Sequence, residues 1–129
     1  LPTEVEWEWF ARGGEVAIQD GEFYLNPEEN EEFIEVKNST IEEGSWYYGN
    51  SGNQTHDVGT KKPNQLKIYD SSGYISEETP YIYDASQLDR RLRGGSWNEK
   101  VENCTYFIRA NEEMNNNSNN IGFRIVRTI

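Results

Sequence analysis

The residues able to do chemistry are few, and two of them are unique. Cys104 is the single cysteine and His56 the single histidine of the 129-residue chain. A nucleophilic Cys–His pair needs the thiol and imidazole within hydrogen-bond reach and a third group to orient the base. Neither the THDVG segment around His56 nor the CTYFIR segment starting at Cys104 supplies such a frame. One cysteine also excludes an internal disulfide and a cysteine-cluster metal site. The remaining feature is residues 69–78, YDSSGYISEE, where Asp70, Glu77 and Glu78 stand among three serines and a glycine. Oxygen-rich turns suit hard cations, but the same residues make an ordinary polar turn, and their types alone leave both readings open.

Such groups need elements to position them. Val5, Trp7, Phe10 and Ala11 recur at helical spacing, so the pattern predicts a helix over residues 3–12. Thr3 caps it, Glu6 three residues later completes a capping box, and Gly13-Gly14 ends it. Beyond it lie short alternating stretches at 15–18, 22–25, 33–36, 66–69, 105–109 and 122–127, separated by glycine, proline or asparagine, and these read as short strands. Residues 111–120, NEEMNNNSNN, read as an exposed loop. The pattern is that of a loop-rich α+β domain with short antiparallel strands and few helices.

Composition narrows the partners. Seventeen aromatics in a chain that is only 34% apolar argue for a folded domain with a small core. The formal charge of −11 repels phosphate backbones and anionic headgroups, so neither nucleic acid nor a membrane surface is an expected partner. No apolar run approaches the roughly 20 residues that span a bilayer.

Several segments in order, LPTEVEWEWFARGG (1–14), NSGNQTHDVGTKKPNQLKIYD (50–70), RLRGGSW (91–97), Asn103-Cys104 and NNIGFRIVRT (119–128), together resemble the C-terminal portion of the formylglycine-generating enzyme, or sulfatase-modifying factor, family. The resemblance implies a C-type-lectin-like fold and a single domain over residues 1–129, minimal or truncated. Arg109 and Arg124 are then expected to pair with acids such as Glu4, Glu6 or Asp70, with Trp7, Trp97 and Phe123 in the core.

The family's named enzyme oxidises a peptidyl cysteine with two copper-binding cysteines of its own, and the matching positions here are Glu99 and Cys104. Cuprous ion favours paired thiolates, so no copper is expected and Cys104 reads as a buried structural residue. It becomes catalytic only under the alternative that the chain is such an oxidase or a fragment of one. Histidine-ligated iron, used by relatives of the ergothioneine pathway, is not expected with His56 alone.

In the family, the stretch matching 69–78 holds calcium. The resemblance implies the side chains of Asp70 and Glu77 and the carbonyls of Gly73 and Ile75 as ligands. Ser76 and Glu78 stand where the family has two tryptophans, a loss of roughly 300–500 Å² of aromatic area, and the substitution implies a surface exposed to water.

Residues 98–120 carry eight of the chain's fourteen asparagines between RGGSW and GFRIVR. This resembles the variable region of retroelement-diversified proteins built on the same scaffold. The implied role is a non-catalytic, calcium-stabilised module that presents Trp97, Asn98, Glu99, Lys100, Glu102, Asn103, Tyr106, Ile108, Asn111, Met114 and Asn115 to a protein or glycan ligand. Strand alternation turns Phe107 and Arg109 inward and Tyr106 and Ile108 outward, whereas a bulge would bury both of the latter.

Overall fold

The computed structural model describes residues 1–15, 42–80, 89–104, 106, 108–113 and 118–127. The expected strands at 22–25 and 33–36, and all but the first residue of 15–18, lie outside the described residues.

The first helix forms as its sequence dictates. α1 spans Glu4–Ala11, and its N-terminus is closed by the reciprocal bonds of a capping box between Thr3 and Glu6. Trp7, Phe10 and Ala11 form its buried face, while Val5 and Trp9 face outward. Gly13, at φ 97°, takes the chain out of the helix. Asn64 then serves the helix end. Its Nδ2 donates to the carbonyls of Phe10 (2.7 Å), which also accepts from Gly13 N–H, and of Ala11 (3.2 Å), in the last turn where carbonyls run out of i+4 partners.

Four short strands make one sheet: β1 (Ser76–Thr79), β2 (Asp89–Arg93), β3 (Arg109–Glu113) and β4 (Ile121–Gly122), in the order β3-β2-β1-β4. β1 runs antiparallel to β2 with Glu78 opposite Leu92, and β2 antiparallel to β3 with Leu92 opposite Ala110. The pairing of β4 with β1 is parallel, Ser76 against Ile121, so the sheet is mixed and not wholly antiparallel. The architecture is α+β, built in the described residues from α1, a 3-10 turn at Val101–Asn103 and this sheet, with further helical residues at 14–15 and 42–44.

Three strand boundaries differ from expectation. Residues 66–69 form a turn, because Asn64 Oδ1 accepts from the N–H groups of both Leu66 (3.0 Å) and Ile68 (3.1 Å) and Lys67 takes φ 62°. A side-chain amide that satisfies the local backbone competes with ladder pairing. The strand expected at 105–109 starts at Arg109 and runs on through Asn111–Glu113, residues expected to be loop. The strand expected at 122–127 is limited to Ile121–Gly122, and Phe123 is 67% exposed, not in the core.

Ion pairs and an indole hydrogen bond, beside the buried face of Trp7, Phe10 and Ala11, tie α1 to the sheet. Arg93, the last residue of β2, has a side chain wholly shielded from solvent. It donates to Glu4 (2.9 Å) and Glu8 (2.7 Å), one turn apart on the helix, and to the carbonyl of Tyr106. Its guanidinium also lies 5.0 Å from the centre of the Trp7 ring. Trp7 Nε1 donates to Glu77 of β1 at 2.9 Å, so the largest core side chain is anchored by its polar edge. Arg109 adds a more exposed pair to Glu4 at 2.8 Å.

Candidate functional site

The RGGSW segment leads out of β2 into the turn that carries Cys104. Gly94 and Gly95 have φ 91° and 74°. A Cβ on Gly95 would lie 2.4 Å from the Asn103 carbonyl oxygen and 2.9 Å from Cys104 Sγ, so only glycine lets this backbone press against the thiol. Cys104 is fully buried, and its Sγ meets the carbonyls of Ser96 (3.7 Å) and Glu99 (4.0 Å). Ser72 Oγ donates to the Cys104 backbone carbonyl. Burial, reinforced by the charge of Glu99, pushes the thiol up to about 12, which keeps it protonated at neutral pH.

His56 belongs to a different cluster. Its ring stacks on Trp46 at 3.6 Å, its Nε2 lies 2.7 Å from the Ser51 carbonyl, and Lys61 Nζ sits 4.1 Å from the Trp46 ring centre. The imidazole is therefore engaged in packing its own loop, and no nucleophile–base pair with Cys104 is formed.

The 69–78 turn is built tightly. Gly73, at φ 74°, has room for no Cβ, because the Trp46 carbonyl would stand 2.7 Å from it. Gly73 N–H donates to the Gly94 carbonyl (2.7 Å) and Trp97 N–H to the Tyr74 carbonyl (2.8 Å), which clamps the turn against the double-glycine turn. Asp70 Oδ2 accepts from Gly59 N–H at 2.7 Å, while its Oδ1 is buried without a protein partner.

Glu77 is committed elsewhere. Arg124 Nη2 reaches its Oε1 at 2.7 Å and Arg124 Nε its Oε2 at 3.0 Å, with Trp7 also on Oε2. Among the described residues no three acidic, histidine or cysteine side chains converge as a metal cage. Of the two side chains expected as calcium ligands, Asp70 Oδ1 is open to an ion, whereas the Glu77 carboxylate is occupied by three protein donors and does not fit one as it stands.

The two family tryptophan positions are not surrendered to solvent. Ser76 is buried in β1, and Glu78 is half-buried and paired with Arg90 across the sheet.

Most of the expected ligand-binding residues that the structure describes are exposed. Asn98, Lys100, Glu102, Asn103, Ile108 and Asn111 are exposed, and Glu99 is half-exposed. Two expected members point inward. Trp97 is buried, its Nε1 donating to the Asn119 carbonyl at 3.3 Å, and Tyr106 packs against Trp7, Phe10 and Ala11. Met114 and Asn115, like Phe107, lie outside the described residues. Beneath the exposed positions, Asn98 Oδ1 accepts from Ser96 Oγ (2.7 Å) and Asn120 Nδ2 (3.1 Å), and the Glu99 carbonyl accepts from Tyr48 N–H (2.9 Å).

Sequence reasoning missed Arg93 and Asn64. Glu4 and Glu8 flank Trp7 on one helix face, and two acids on a core-facing stripe demand a buried cation, which was the available signal for Arg93.

A family model, described as the sulfatase-modifying factor enzyme 1-like domain, matches residues 1–129. The chain belongs to this family, the formylglycine-generating-enzyme type. It is 33% identical over 134 residues to the inactive C-alpha-formylglycine-generating enzyme 2 of Bos taurus, covering 96% of this chain and 42% of that protein. It is 27% identical over 154 residues to the chaperone protein LppX of Paenibacillus barcinonensis, covering 99% and 49% respectively. Among solved structures, Treponema denticola variable protein 1 superposes with a TM-score of 0.70 at 30% identity, over 95% of this chain and 45% of that one. The chain thus spans less than half the length of each of these relatives.

Proposed function

We propose that this chain is a non-catalytic display module: a C-type-lectin-like scaffold that presents the exposed side chains of residues 98–111 to a protein or glycan ligand. The observation that carries this reading is the state of Cys104. The one thiol of the chain is fully buried against the Gly95 backbone and the carbonyls of Ser96 and Glu99, and held protonated, with Glu99 where a second thiolate would be needed. An oxidase of peptidyl cysteine requires the opposite, an accessible sulfur of low pKa.

The surface beside it suits recognition. Asn98, Lys100, Glu102 and Asn103 offer hydrogen-bond donors and acceptors of mixed charge on backbone that is tied down at Ser96, Trp97 and Glu99, and Asn111 is held in the β3 ladder. A surface fixed before binding avoids the entropic cost of ordering it in the complex. The names of two relatives, an inactive enzyme and a variable protein, agree with loss of chemistry and variation of a surface. Diversification of 98–120 by a retroelement is the stronger form of the proposal, and a near-identical template repeat beside a reverse transcriptase gene is its signature.

The test is thiol titration of the folded protein. Cys104 is expected to resist an aromatic disulfide reagent at pH 7.5 and to react stoichiometrically in guanidinium. Rapid labelling of the native protein, or tight cuprous-ion binding through Cys104, returns the oxidase alternative.

A further inference from the structure

The misfit at the 69–78 turn has a structural cause, and it lies at the far end of the chain. Arg124 bridges both ends of the turn, Nη2 donating to the Tyr69 carbonyl (2.7 Å) as well as to Glu77. Glu77 is only 6% exposed, and its two oxygens receive a forked guanidinium and an indole N–H. A forked guanidinium and a carboxylate match in geometry and charge, and the pairing is among the stronger charged hydrogen bonds. The guanidinium also sits 5.9 Å from the centre of the Phe10 ring, so core packing holds it in place.

Calcium binds through direct contact with six to eight oxygens. To recruit Glu77 it would have to displace Arg124, strand the Trp7 indole and bring two positive charges beside a third. We infer that Arg124 is the resident cation of this turn: its guanidinium does for Tyr69 and Glu77 what a divalent ion would otherwise do, and the scaffold is held without calcium. The remaining oxygen of interest, Asp70 Oδ1, adds to the field that keeps the guanidinium charged. Asp70 by itself offers an ion one carboxylate oxygen, because Oδ2 is bonded to Gly59 N–H.

Two consequences separate this reading from a calcium site. The wild-type melting midpoint is expected to be the same in millimolar calcium and in excess chelator, because no bound ion is lost. Removing the guanidinium with Arg124→Gln opens Glu77 beside Asp70. The variant is expected to melt lower and to gain a terbium site, with a dissociation constant on the order of 10⁻⁴ M, detected by tryptophan-sensitised luminescence. Adding Glu77→Gln should abolish that site. A wild-type midpoint that falls on chelation, or saturable terbium binding by the wild type at similar concentrations, overturns the inference. So does an Arg124→Gln protein that folds yet gains no terbium site. If Arg124→Gln does not fold, the two wild-type measurements decide the question.

Discussion

Replacing Arg93 with methionine keeps most of the side-chain volume and removes its charge, which leaves Glu4 and Glu8 facing each other one helical turn apart. Breaking a buried ion pair costs about 3–5 kcal/mol, because the remaining charge is stranded. Here the carboxylates keep 18% and 29% of their side-chain exposure, and Arg109 and Arg12 stay bonded to Glu4 and Glu8, so the loss is set at the lower end, about 3 kcal/mol, as an upper bound. That is roughly a hundredfold in the folding equilibrium. With an unfolding entropy of about 2.1 cal/mol/K per residue over the 129-residue chain, it corresponds to a fall of about 11 °C in melting midpoint.

The effect has a pH signature. Burial alone would raise the Glu8 pKa, but bonding to Arg93 and the charges of Arg12 and Arg93 outweigh it and hold the carboxyl below its ordinary 4.5. A depressed folded-state pKa contributes stability that is present above about pH 4.5 and lost as pH falls through the folded value. The gap between wild type and Arg93→Met should therefore narrow below about pH 4.5. Calorimetry or fluorescence melts from pH 3 to 7 measure it. Converting Glu4 and Glu8 to glutamine in the Arg93→Met background should regain only part of the loss, because the two carboxylates no longer repel each other but Arg109 and Arg12 give up their own pairs with them. A midpoint within about 2 °C of wild type, or a gap independent of pH, would refute the view that this cation fastens the helix.

Two further substitutions probe the turns. Gly95→Ala combines a φ of 74° with a Cβ 2.4 Å from the Asn103 oxygen, so urea unfolding should show a loss of about 2–4 kcal/mol. Because the same backbone covers the sulfur, Cys104 should become reagent-accessible in that variant. Asn64→Ala removes a donor from two helix-end carbonyls, of which Phe10 keeps the Gly13 N–H, and leaves two turn N–H groups without their acceptor, and should cost about 1–2 kcal/mol by the same measurement.

The helix was legible because its signals are local: Thr3, Glu6 and Gly13 act within a few residues of themselves, and the structure keeps all three roles. The strands were less so, because Ser76–Thr79 and Arg109–Glu113 are polar segments without the apolar alternation that marks a half-buried strand. They are strands because Leu92 and the ion pairs of β2 hold them in register, and this is tertiary information. The segment at 66–69 has the opposite character: its alternation is right for a strand, and one asparagine upstream prevents it. At the site, the burial of Cys104 was readable from the missing second thiol. The engagement of Glu77 was not, since its partners stand 70 residues before it and 47 after.

That last separation has a consequence for how the chain acquires its structure. Glu77 receives hydrogen bonds from Trp7 and from Arg124, so one carboxylate closes two long loops at once. During synthesis, α1 emerges from the ribosome more than a hundred residues before the cation that completes its anchor. Contacts so distant in sequence make folding slow, and until Arg124 arrives the nascent chain carries a charged Glu77 under a tryptophan with no counterion. Chaperone dependence, or pausing before Arg124 is made, would act on that interval.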